Sequence, residues 1–119
     1  VGGASSSGNE ETALSPQVLQ EAAARFGLLA STMRLHILWL LAHGDMDVGG
    51  LADAVGGSVQ AVSQQLAKLK LAGLVRSRRE GHRVVYVADD PQMVMMMRLA
   101  IEQLAGGPGA SERRSGIGS

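Results

Sequence analysis

The sequence predicts a mainly α-helical fold carrying one β-hairpin, an α+β class with the order α-α-(β)-α-α-β-β-α. Three observations predict it. Apolar residues recur at helical spacing along most of the stretch from Ser15 to Ala105. These runs are punctuated by start and stop residues: Ser15-Pro16, Ser31-Thr32, Gly44, Gly56-Gly57-Ser58, Gly73 and Asp89-Asp90-Pro91. Residues 74–87 read instead as two short strands about a tight turn, Glu80-Gly81.

The first helix starts at Ser15, a good N-cap, with Pro16 at its first position, and runs to about Ala30 through Val18, Leu19, Ala22, Phe26 and Leu29. Ser31 or Thr32 opens a second helix to about His43. Its inner stripe is Leu35, Leu38, Trp39 and Ala42, with Ile37 and Leu41 beside it, and Gly44 ends it. Met46 to Val48 forms a short strand. Leu51, Ala52 and Val55 mark a brief helix stopped by Gly56-Gly57. Ser58 caps the next helix, in which Val62, Leu66 and Leu69 make one apolar stripe and Gly73 is the residue past its end. The brief helix, the glycine turn and the helix from Ser58 form a helix-turn-helix. Strands at Leu74 to Arg79 and His82 to Val87 add a hairpin, or wing. Asp89 and Asp90 favour a helix N-terminus, Pro91 suits its first position, and the last helix runs to about Ala105.

The helix from Ser58 presents an uncharged polar face: Gln60, Ser63, Gln64 and the small Ala67. Amide and hydroxyl side chains can donate to and accept from base edges in the DNA major groove, so Gln60, Ser63 and Gln64 are candidate base readers. Ser58, Lys68, Lys70, Arg76, Arg78, Arg79, His82 and Arg83 surround that face and the hairpin tip, and are candidate phosphate contacts. The chain holds 11 basic and 11 acidic residues and is formally neutral. Residues 58–83 nevertheless hold six basic residues against Glu80 alone, net +5, and the remainder carries net −5. Composition therefore predicts a polarised molecule whose basic patch faces an anionic partner.

The last helix, QMVMMMRLAIEQLA in its interior, is apolar nearly all round, which a small monomer has no room to bury. A symmetric homodimer interface follows as an expectation, drawn from Val18, Leu19, Met93, Met96, Met97, Ile101 and Leu104. Residues 15–105 form one DNA-binding and dimerisation domain. Residues 1–14 are expected to be a disordered arm and 106–119, with Arg113 and Arg114, a flexible tail.

Cysteine is absent, which excludes disulfides, zinc–thiolate sites and thiol sensing. No apolar run reaches membrane-spanning length and no signal pattern opens the chain, so the expectation is a cytoplasmic protein with no membrane partner. No nucleophile–base pair, phosphate loop or carboxylate cleft points to an enzyme. His43, Asp45 and Asp47 form an H-x-D-x-D cluster able to hold nickel or zinc weakly. The competing reading is a helix-end histidine beside two solvated carboxylates. His36 and His43 are about 10.5 Å apart by helix rise and cannot chelate one ion together.

Four segments carry a family resemblance: Ala30–Ile37 (ASTMRLHI), Val48–Val55 (VGGLADAV), Val62–Val75 (VSQQLAKLKLAGLV) and Arg78–Tyr86 (RREGHRVVY). Together with the element order they resemble the ArsR/SmtB family of bacterial winged helix-turn-helix transcription factors, over about Leu14 to Ala105. The text is most similar to actinobacterial nickel/cobalt-responsive members. The resemblance implies a homodimer on a pseudo-palindromic DNA operator at the nucleoid, with the wing on flanking DNA. It also implies repression, rather than activation, relieved by a metal ion or another small inducer, nickel being the first candidate. The chain departs from the family at its usual sensor positions. Residues 48–55 hold no cysteine, and glutamines (Gln92, Gln103) stand where last-helix sites use histidine. That departure motivates a second reading, a winged-helix interaction module whose effector sensing is carried by a partner regulator protein.

Overall fold

The computed structural model describes residues 12–106, and the expected N-terminal arm (save its last three residues) and C-terminal tail lie outside them. The elements laid out in full among the described residues are five helices and a small sheet: α1 (Pro16–Leu29), α2 (Thr32–His43), β1 (Met46–Asp47), α3 (Val48–Val55), α4 (Val59–Leu71), β2 (Val75–Glu80), β3 (Arg83–Ala88) and α5 (Pro91–Gly106). The order agrees with the expected winged helix-turn-helix.

Local chemistry sets most boundaries. Ser15, Ser31 and Ser58 each accept a hydrogen bond from the backbone N–H three residues on, as N-cap hydroxyls do. Asp90 does the same for Met93 at the start of α5. The end of α4 is a Schellman motif. Gly73 has φ +81° and its N–H donates to Lys70 O, while Leu74 N–H donates to Leu69 O at 2.9 Å. Leu69 and Leu74 are both buried, so the turn that stops the helix also delivers the chain into the core.

The hairpin differs from the expected one by a single residue. Glu80 pairs with Arg83, so the turn is Gly81-His82. Gly81 has φ +62°, and no described non-glycine residue has positive φ. Glycine at the first turn position suits a II′-like turn, whose twist matches the strands, and this moves the turn off Glu80. The sheet is antiparallel in the order β1-β3-β2, with Met46 opposite Tyr86 and Asp47 opposite Val85.

The central helix is α2, which packs against every other helix and β3. Its most buried residues are Ile37, Leu38 and Leu41, while the expected stripe members Leu35, Trp39 and Ala42 are only partly covered. An element surrounded on several sides need not show a single stripe. With Leu51 and Ala52 of α3 and Val62, Leu66 and Leu69 of α4, these residues lock the helix-turn-helix onto the core. No single described helix is long and apolar enough to cross a membrane.

Candidate nucleic-acid interface

The apolar stripe of α4 orients its polar side. Because Val62, Leu66 and Leu69 are buried, Gln60, Ser63 and Gln64 are exposed. Among the described residues none of those three side chains has a hydrogen-bond partner. Gln65, one step round, is half-buried and committed: its Oε1 accepts from Arg34 Nη1 at 2.7 Å.

In sequence Arg34 is simply a polar residue within the largely apolar run of α2. Its Nε also donates to Leu28 O at 2.6 Å. A half-buried guanidinium with two short bonds therefore joins the end of α1 to α4. The only sequence signal is an arginine among the apolar residues of a core helix.

The basic residues divide into two groups. Lys68, Lys70 and Arg79 are exposed, and among the described residues no ion pair engages them. Lys70 Nζ donates to Ser77 Oγ at 2.9 Å, tying α4 to the wing. The other three carry carboxylate partners. Arg76 pairs with Asp89 at 3.1 Å and Arg83 with Asp47 at 3.0 Å, while Arg78 pairs with Asp45 at 2.7 Å and Glu80 at 2.6 Å. Donating to the Asp45 and Glu80 carboxylates holds the Arg78 guanidinium still further toward its charged form. The expected separation of a basic face from an acidic remainder is thus corrected. Asp45, Asp47 and Asp89 belong to the acidic remainder in sequence but lie against the wing in space. Ser58 Oγ is taken by the N-cap bond to Ala61 N–H, and His82 stands exposed in the wing turn.

The same pairings decide the H-x-D-x-D cluster. Among the described residues no group of three or more His, Cys, Asp or Glu is placed to hold a metal ion. Asp45 faces Arg78. Asp47 Oδ1 accepts from Gly50 N–H at 2.8 Å, capping α3, and its Oδ2 accepts from Arg83. His43 Nδ1 is 2.7 Å from Trp39 O, and its ring packs on Trp39. His43, Asp45 and Asp47 are corrected from joint ligands to separate structural roles, because arginine and backbone donors satisfy the two carboxylates first. The bond from Gly50, aided by Arg83, holds the Asp47 carboxyl below the usual carboxylate range.

The expected dimer residues also separate. Met93 and Met97 are 8% and 3% exposed, buried in the protomer's own core, and are corrected on that ground. Val18, Leu19, Met96 and Leu104 are exposed, with Ile101 partly covered. Between α1 and α5 lies an almost wholly apolar groove of about 250 Å³, lined by Phe26, Leu29, Met96, Ile101 and Leu104 among others. None of the residues of α1 is buried within the protomer.

Comparison with known proteins places residues 31–77 within the model of the "Bacterial regulatory protein, arsR family". The HTH-type transcriptional regulator KmtR of Mycobacterium tuberculosis is 48% identical over 61 residues, covering 51% of this chain and 47% of that protein, so the match spans just under half of that relative. The HTH-type transcriptional regulator NmtR of the same organism is 36% identical over 88 residues, covering 74% of this chain and 73% of that protein. Among solved structures, the homodimeric winged helix-turn-helix DNA-binding domain from Mycobacterium bovis superposes with TM-score 0.66 at 34% identity, covering 77% of this chain and 92% of that one.

Proposed function

The chain belongs to the ArsR family of bacterial regulatory proteins and is a DNA-binding transcriptional regulator, and from that premise we propose that it acts as a homodimer on a pseudo-palindromic operator. The observation that carries this reading is the exposed face of α4. Among the described residues, the exposed Gln60, Ser63 and Gln64 have no side-chain hydrogen bond, and the exposed Lys68, Lys70 and Arg79 have no ion pair. Amides meet base edges while the cations meet phosphates. Two copies joined through the exposed apolar residues of α1 and α5 set two α4 helices into successive major grooves, about 34 Å apart. The wing follows the flanking DNA. The working location is the bacterial cytoplasm, at the nucleoid.

Repression under metal control, with nickel the first candidate, forms the finer part of the proposal and rests on the resemblance to nickel/cobalt-responsive members. The described donors of one protomer do not fit a metal centre. The DNA-binding reading does not depend on one.

Selection from random duplex DNA, followed by anisotropy titrations over a salt series, tests the proposal. The expected result is an enriched inverted repeat bound as one dimer. Isothermal titration with nickel, cobalt and zinc, repeated with the operator, tests metal control. Absence of binding by all three moves the sensing role to a non-metal effector or a partner regulator. The exposed Met95 and Leu99 on the outer side of α5 favour that partner as a second reading.

A further inference from the structure

We propose that Arg34 is a positioning residue that holds α4 in the rotation presenting Gln64 to DNA and couples α4 to the end of α1. This inference rests on the DNA-binding reading above.

Gln64 and Gln65 are adjacent and chemically identical, and burial of Val62, Leu66 and Leu69 turns Gln64 outward and leaves Gln65 at the margin of the stripe. Arg34 pins Gln65 there. Its Nη1 engages Gln65 Oε1 at 2.7 Å and draws that amide toward α2, while Gln64 is exposed and, among the described residues, has no hydrogen-bond partner. The bond to a charged donor is of the stronger class, and the site is partly shielded from water. A rotation of α4 that carried Gln65 outward would break it.

The second Arg34 bond gives the contact a wider consequence. Nε donates to Leu28 O at 2.6 Å, in the last turn of α1. Leu29, the next residue, lines the apolar groove between α1 and α5. The neighbouring residue Met33 reaches the turn between α3 and α4, where a Cβ added to Gly57 would lie 3.2 Å from Met33 Cε. Two consecutive residues at the start of α2 thus hold the helix-turn-helix at its turn and on α4. A shift at the end of α1 reaches α4 through one side chain.

The test uses the full chain, the operator obtained by selection, and random duplex of equal length. Arg34→Gln removes the charged fork, Gln65→Leu removes the acceptor, and the double variant completes a cycle. Each single variant is expected to lower the ratio of operator to random affinity about 10-fold, with the salt slope unchanged. The double variant is expected to lose no more than either single one. Arg34→Lys, which keeps the charge on a single donor nitrogen, should recover part of the ratio. Oligomeric state and melting temperature are followed in parallel, because a purely structural role moves those and leaves the ratio intact. Should Arg34→Gln fail to fold, Gln65→Leu at its half-buried position decides the matter alone. A folded variant with the wild-type ratio, or losses that add in the double variant, overturns the positioning role. A wild-type protein that does not discriminate operator from random DNA overturns the DNA-binding reading itself.

Discussion

Asp47 and Arg83, 36 residues apart in sequence, meet at 3.0 Å, and the same carboxylate caps α3 through Gly50 N–H at 2.8 Å. The first helix of the helix-turn-helix and the second strand of the wing therefore share one anion. Wing and helix are oriented together through it.

That carboxylate makes stability sensitive to acid. The folded state holds the Asp47 carboxyl below its ordinary value of 3.8, so its contribution is present above that value and is lost as pH falls through the lower folded one. Asp47→Asn keeps a capping oxygen but loses the charge. Its melting temperature should fall less steeply than wild type below about pH 4, as followed by circular dichroism.

Asp45 and Asp89 partner Arg78 and Arg76, and the phosphate backbone must compete with them. Asp45→Asn with Asp89→Asn should therefore raise affinity for random DNA. It should also steepen the salt dependence by up to about two phosphate equivalents. Anisotropy titrations across a salt series measure both. An unchanged slope would show that these arginines do not reach DNA.

Gln64→Ala and Arg79→Ala should fail differently. Loss of Gln64 should reduce discrimination at one base position by about 1–3 kcal/mol while leaving random binding intact. Loss of Arg79 should weaken binding to all sequences and reduce the salt slope by about one. Equal losses for Gln64→Ala on operator and random DNA would remove its base-reading role.

Two methionines one position apart should separate assembly from folding. Met96 is 41% exposed and Met97 3%. Met96→Lys with Leu19→Lys should yield a folded monomer in sedimentation velocity. Met97→Ala should instead lower stability by about 2–5 kcal/mol in denaturant unfolding, through the cavity it leaves.

Much of the fold was legible because it is written in neighbouring residues. Ser15, Ser31 and Ser58 announce helices through a hydroxyl bonded three residues on. Gly73 announces a helix end through a backbone angle other residues resist. The face of α4 followed from Val62, Leu66 and Leu69, because burial of one stripe exposes the other side. The hairpin turn fell one residue late, since two overlapping dipeptides contain the same Gly81 and strand register chooses between them.

By itself the sequence determined the helix starts, the helix-turn-helix, the wing and the polar face of α4, all of which depend on patterns within a few residues. Tertiary structure alone decided the partners of the charges. Asp45 with Arg78, Asp47 with Arg83 and Arg34 with Gln65 lie 33, 36 and 31 residues apart. A charge count places these groups in the chain but not in space. Packing of α2 and β1 against the wing brings the carboxylates to the arginines, turning the two aspartates of a candidate metal cluster into wing anchors.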